Sequence, residues 1–238
     1  WCGSGKKYKN CHQDFDAKLN ALKLKGKTIP DHKLIKTPEQ IEKIKASAAI
    51  NIAVLDEVGK QIHAGMTTQE IDDIVYNKTK EMGGIPAPLN YEGFPKSVCT
   101  SINDQVCHGI PDDETVLKDG DIISVDVGAT FRGLVGDSAW TYGVGEIKPE
   151  IQNLLTATEK SLMAALSKVK NNALLEDAAG AIEDVAKENG LGIVRQYGGH
   201  GVGRNMHEDP FIFNYRTGDK TILKTGMSGR IPRAIVKA

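Results

Sequence analysis

Asp126 and Asp137 flank a turn in Ile122-Ile-Ser-Val-Asp-Val-Gly-Ala-Thr-Phe-Arg-Gly-Leu-Val-Gly-Asp-Ser-Ala-Trp-Thr-Tyr142. With the turn centred between Phe131 and Arg132, the two aspartates lie equally deep in their strands and face each other. Directly opposed side chains in an antiparallel pair have Cβ atoms about 4.5–5.5 Å apart, and like charges there are destabilising. A cation between the carboxylates removes that repulsion, and metal pairs about 3.5–4 Å apart are a known catalytic device. The plainer alternative is a pair of solvated carboxylates beside a turn. Histidines add to the case for a site. His108 lies in Cys107-His-Gly-Ile-Pro111, directly upstream of the Asp126 strand. His200 lies in the glycine-dense Tyr197-Gly-Gly-His-Gly-Val-Gly203, and His207 in Met206-His-Glu-Asp-Pro210. Bare glycine backbone lets another group come close. The glycine spacing fits neither usual nucleotide fingerprint. A single histidine is usually a structural hydrogen-bonder, but three near an acidic pair point to a site.

The surrounding sequence supplies elements to hold these residues. Thr37-Pro38-Glu39-Gln40 reads as a helix start with a capping box, and Ile41, Ile44, Ala48, Leu55, Val58 and Ile62 follow at helical spacing. A second helix begins at Thr67-Thr-Gln-Glu70, is expected to bury Ile71, Ile74, Val75 and Met82, and stops at Gly83-Gly84. Turn-rich, strand-like sequence runs on to about Tyr142. The plan then recurs. Pro149 opens a helix with Ile151, Leu154, Leu155, Leu162, Leu166 and Val169 on one stripe. A shorter helix carries Leu175, Ala178, Ile182 and Val185 and ends at Asn189-Gly190. Helix, helix, strands, twice over, predicts an α/β (α+β) domain of two pseudo-symmetric halves.

The chain has 238 residues, 26% charged and 40% hydrophobic, with a formal charge of −1. That composition describes an ordinary globular protein and argues against a general or sequence-specific nucleic-acid binder, which needs a basic stripe. No apolar run reaches the roughly 18–20 residues that span a bilayer. Cys2, Cys11, Cys99 and Cys107 are too few for a disulfide framework and fit a reducing compartment. With no signal segment after Trp1, the expected location is the cytoplasm.

Ordered motifs from Thr37 to Met227 resemble the type I methionine aminopeptidases: Tyr91-Glu-Gly-Phe-Pro-Lys-Ser-Val-Cys-Thr-Ser-Ile-Asn103, Val106-Cys-His-Gly-Ile-Pro111, Asp119-Gly-Asp-Ile-Ile-Ser-Val-Asp-Val-Gly128, Gly136-Asp-Ser-Ala-Trp-Thr141 and Gly199-His-Gly-Val-Gly-Arg204. The resemblance implies the pita-bread fold, two divalent metal ions (Co, Mn, Fe, Zn or similar), and removal of the N-terminal methionine from peptides and nascent chains. It implies Asp126, Asp137 and His200 as metal ligands, and His108 and His207 as catalytic groups contacting the substrate. Tyr91, Phe94, Cys99 and Met206 match positions around the methionine pocket, although Met206 stands where relatives often carry an aromatic residue. The family's ligand set also holds two glutamates, one of them the proton shuttle. Here Gly226-Met227 is followed by Ser-Gly-Arg-Ile-Pro, and neither glutamate has a counterpart. The expectation is therefore a second half incomplete at its C-terminus, weak metal binding and low turnover. A non-catalytic binding protein of the same fold and an X-Pro-type aminopeptidase are the alternatives.

Trp1-Cys-Gly-Ser-Gly-Lys-Lys-Tyr-Lys-Asn-Cys-His12 resembles the SEC-C zinc motif. Cys2, Cys11 and His12 match three of its ligands, and the fourth would precede Trp1. Thiolates and imidazole suit a structural Zn²⁺. The expected layout is thus a zinc-binding extension and exposed linker over 1–30, followed by the catalytic domain over 31–238. Lys6, Lys7 and Lys9 beside the knuckle suggest ribosome docking.

Overall fold

The computed structural model describes residues 5–231 and, as backbone, 235–237. The expected linker instead contains a helix, α1 (Gln13–Leu24), none of whose residues is buried. Asp16, Leu19 and Leu22, three apart, form its half-buried side, a helical period hidden within the alternation of basic and apolar residues.

Two helices start where their caps predict. In α2 (Pro38–Gln61), the Thr37 hydroxyl accepts from the Gln40 N–H at 3.2 Å, and the Gln40 side chain accepts from the Thr37 N–H at 2.9 Å. Thr67 and Glu70 repeat this box at the start of α3 (Thr68–Glu81). The fully buried face of α2 is Ser47, Ile50, Asn51, Val54 and Val58; Val58 belongs to the expected stripe, and Leu55 and Ile62 of that stripe pack partly buried against the same core. Polar Ser47 belongs inside because its hydroxyl donates to the Leu134 carbonyl at 2.9 Å. In α3, Ile71 and Val75 are buried and Ile74 packs against them, but Met82 is 37% exposed because it caps the helix end.

Strands β1 (Ile85–Pro86), β2 (Val98–Ile102), β3 (Ile122–Phe131) and β4 (Leu134–Gly143) form one antiparallel sheet. The long β3 pairs with β4 along one edge and with β2 and β1 along the other. Successive strand residues point to opposite faces. Ile123, Val125 and Val127 accordingly enter the core with Ile50, Val54, Val58, Ile71 and Val75, which leaves Ser124 and Asp126 on the other face.

The helix pair recurs as α4 (Pro149–Lys168) and α5 (Leu175–Glu188). Here α4 buries Ala157, Thr158, Ser161 and Ala165, whereas Leu166 and Val169 of the expected stripe are exposed. Small residues let the helices close on one another, and Ala165 joins Ala178, Ile182 and Ala186 of α5 in a second core. Strands β5 (Leu191–Ile193), β6 (Gly199–Gly201), β7 (Glu208–Ile212), β8 (Gly229–Arg230) and β9 (Ile235–Lys237) follow. β6 lies between β7 and β8, antiparallel to both, and β5 pairs with β9.

Before entering α2, the chain runs along the second half. The Thr28 N–H donates to the Lys220 carbonyl at 2.9 Å, the Ile222 N–H to the Thr28 carbonyl at 3.0 Å, and the Lys36 N–H to the Gly226 carbonyl at 2.7 Å. Among the described residues, no helix is long and apolar enough to cross a membrane.

Candidate functional site

The turn of the β3–β4 hairpin falls at Arg132-Gly133, both at positive φ (51° and 78°), as a two-residue hairpin turn of the primed type requires. This is one residue beyond the expected centre, and the register moves by two. Asp126 pairs with Ala139, and Asp137 with Gly128. The aspartates are therefore diagonal neighbours on one face rather than directly opposed, a relation that typically sets Cβ atoms about 7–8 Å apart. Their mutual repulsion is correspondingly weaker, and a larger group fits between them.

That group is the guanidinium of Arg230. Its Nη2 donates to Asp126 Oδ2 at 2.8 Å, and its Nε lies 3.2 Å from Asp137 Oδ1. Backbone pairing of Arg230 with His200 across β8 and β6 sets its place. Burial weakens the charged state of Arg230, but Asp126 and Asp137 outweigh it and hold its pKa above the ordinary value. Burial raises the Asp126 pKa, with Arg230 opposing and Asp137 reinforcing the shift.

The histidines gather on the same side. His200 Nε2 lies 3.3 Å from Asp137 Oδ2, and its Nδ1 is 2.9 Å from the Gly201 carbonyl. Burial alone would lower its pKa, yet the Asp137 and Gly201 contacts prevail and raise it. The His207 ring stands 4.3 Å from that of His200, centroid to centroid, and its Nδ1 is 2.9 Å from the Tyr91 hydroxyl. Burial, and then the proximity of His200, lower the His207 pKa. His108 has a left-handed backbone (φ 58°), and its ring meets Tyr197 edge-on at 6.1 Å. The Thr100 N–H donates to the Gly109 carbonyl at 2.9 Å and pins this turn to β2. A Cβ on Gly109 would lie 1.9 Å from the Thr100 carbonyl oxygen, so glycine is required there.

These groups floor an open cavity of ≈ 400 Å³ whose walls include Pro88, Tyr91, Phe94, Cys99, Ile110 and Met206. Asp126, Asp137, His108, His207 and Arg230 line it too, and His200 adjoins through Asp137 and His207. All the residues expected to surround a methionine side chain therefore meet in one cavity. Cys99, paired with Asp126 across β2 and β3, has its thiol pushed up to about 12 by burial and by Asp126. It behaves as a protonated, apolar wall.

Sequence reasoning missed two contributors. Arg230 lies in the Ser-Gly-Arg-Ile-Pro stretch after Met227, where the sequence shows only that the family glutamates have no counterpart. Glu208, directly before the cis Asp209-Pro210 bond and next to His207 in sequence, is the part-buried partner of Lys36. It also accepts from the N–H groups of Arg204 (2.8 Å) and Asn205 (3.0 Å), which fixes the loop that carries His207. The Lys36 pairing carried no local signal, because the two residues are 172 positions apart. Of the N-terminal zinc candidates, Cys2 lies outside the described residues. Cys11 and His12 directly precede α1.

An acidic pair and three imidazoles lie beside one partly apolar cavity on two helix-helix-strand halves. Residues 42–231 match metallopeptidase family M24, and the chain belongs to that family. Within it, the chain is similar to the methionine aminopeptidases. It is 41% identical to methionine aminopeptidase 1 of Bacillus subtilis, covering 82% of this chain and 78% of that one. It is 38% identical to the Chlamydia muridarum methionine aminopeptidase, covering 96% and 79%. The crystal structure of the Rickettsia prowazekii methionine aminopeptidase superposes with a TM-score of 0.79 at 39% identity, over 81% of this chain and 78% of that one. Prolidase from Pyrococcus furiosus shares the fold at 24% identity and a TM-score of 0.70, over 82% and 55%. Residues 1–14 match the SEC-C motif.

Membership in this family implies divalent metal ions. Asp126, Asp137 and His200 offer suitable oxygen and nitrogen donors. In the observed arrangement, however, Arg230 stands between the carboxylates. Among the described residues, no group of three or more His, Cys, Asp or Glu side chains closes into a set that could hold a metal. With Arg230 in place, these residues do not fit the metal pair.

Proposed function

We propose that this chain receives the N-terminal methionine of peptides and nascent proteins in the cavity walled by Tyr91, Phe94, Cys99 and Met206. The family's reaction, metal-dependent removal of that methionine, is the function that its relatives support. The observation that carries the substrate reading is the convergence of these walls with His108, His207, Asp126 and Asp137 in one cavity. Unbranched, polarizable methionine suits such an irregular apolar pocket. His207, held by Tyr91 and with its pKa lowered by burial and then by His200, is available to hydrogen-bond the carbonyl of the first residue. His108, held at the rim by its left-handed turn, faces the peptide from the other side. Both are positioned to favour developing negative charge on that oxygen.

The remaining assignments are Asp126, Asp137 and His200 as the family's metal ligands, a structural zinc held by Cys2, Cys11 and His12, and ribosome docking through Lys6, Lys7 and Lys9. A cytoplasmic setting agrees with these roles. Titrating the chain with Met-Ala-Ser, Ala-Ala-Ser and Ala-Pro-Ser tests the substrate class. The methionine peptide should bind at least tenfold more tightly than the others, since a buried methionine side chain contributes roughly 1.5–3 kcal/mol. Phe94→Ala should erase most of that preference. Equal binding of all three peptides refutes the reading.

A further inference from the structure

The Arg230 guanidinium occupies a built position rather than a surface one. Its backbone is in register with His200, its side chain is 22% exposed, and two of its nitrogens reach the two aspartates. The diagonal register of the hairpin leaves the gap that the planar group spans. A guanidinium offers donors in a fixed fork that matches carboxylates, and it stays protonated at any physiological pH. It thus supplies permanently the positive charge that the acidic pair requires. A divalent ion approaching the same carboxylates meets that charge first and must displace it.

We propose that Arg230 is an internal cation that occupies the Asp126–Asp137–His200 cluster in place of divalent metal ions. This goes beyond the substrate assignment and does not depend on it, because metal occupancy is read without any peptide.

The test titrates Mn²⁺ into the full chain and follows free Mn²⁺ by electron paramagnetic resonance, for wild type, R230K and R230Q. Wild type and R230K should bind Mn²⁺ weakly and alike. R230Q should bind on the order of a hundredfold more tightly, because removing a unit charge a few ångströms from two carboxylates changes cation affinity at least that much. Adding Asp137→Asn to R230Q should abolish the gain. Thermal unfolding supplies a second readout. Mn²⁺ should leave the wild-type midpoint unmoved and raise that of R230Q. Should R230Q be too unstable to purify, R230M, which also removes the charge, carries the same comparison. Tight stoichiometric Mn²⁺ binding by wild type, or a metal-dependent rise in its midpoint, overturns the proposal, as does an R230Q affinity equal to that of wild type.

Discussion

Replacing Lys36 with methionine keeps most of the side chain's length but removes its charge. The Lys36 side chain is 2% exposed and its partner Glu208 is 10% exposed. Breaking a buried ion pair from one side costs about 3–5 kcal/mol, because the remaining charge is left uncompensated. Glu208 keeps the N–H groups of Arg204 and Asn205, so the lower end, about 3 kcal/mol, is expected for Lys36→Met. For a chain of this size each kcal/mol moves the melting midpoint by roughly 2–4 °C, giving a fall of about 6–12 °C. Removing both partners in Lys36→Met/Glu208→Gln should restore more than half of the loss, since neither charge is then stranded. The pH dependence adds a second signature. Burial raises the Glu208 pKa, but the Lys36 hydrogen bond and the backbone N–H groups prevail and lower it. A carboxyl whose folded pKa is depressed contributes stability above its unfolded value, about 4.3, and that contribution disappears as pH falls through the folded value. The gap between wild type and Lys36→Met should therefore be widest near neutrality and shrink below about pH 4. Urea unfolding followed by tryptophan fluorescence at several pH values measures it. A cost below about 1 kcal/mol, or a gap that does not change with pH, would show that the pair does not stabilise the fold as argued.

Further outcomes follow from the hairpin and its metal-type cluster. Gly136→Ala places a Cβ 2.7 Å from the Ala48 nitrogen and 2.8 Å from the Ser47 carbonyl carbon, both backbone atoms of α2. Overpacking against backbone costs about 1–3 kcal/mol, so calorimetry should show a lowered midpoint; an unchanged midpoint would mean that α2 is not held so close to β4. Asp137→Asn removes the leading cause that raises the His200 pKa above its ordinary value. The His200 ring should then titrate at lower pH by NMR, and its charged form should lose stability earlier as pH rises. No shift in that titration would refute the 3.3 Å contact with Asp137.

What could be read in the sequence was largely what is encoded locally. Thr37 with Gln40 and Thr67 with Glu70 specify helix starts within four residues, and the structure contains both boxes. The repeated helix pair marked the two halves. The buried faces of α2 and α4 were partly misread because burial there follows small or hydrogen-bonded residues, Ser47 and Ala165 among them, that hydropathy does not single out. The aspartate register was off because two residues at positive φ, one a non-glycine, moved the turn by a single position. Arg230 and the Lys36–Glu208 pair depend on contacts between distant segments. No pattern within either segment announces them.

The stretch from Thr28 to Lys36, which includes a short 3-10 turn at His32–Leu34, has a consequence for how the molecule is made. It precedes the first half in the chain but is bonded to Lys220, Ile222, Gly226 and Glu208 of the second. A ribosome delivering the chain from its N-terminus completes the whole first half while this stretch still lacks these hydrogen-bond partners. Contacts between such distant positions must also overcome the entropy of closing a long loop, which slows folding. The second half is therefore completed by a stretch that precedes the first half in the chain.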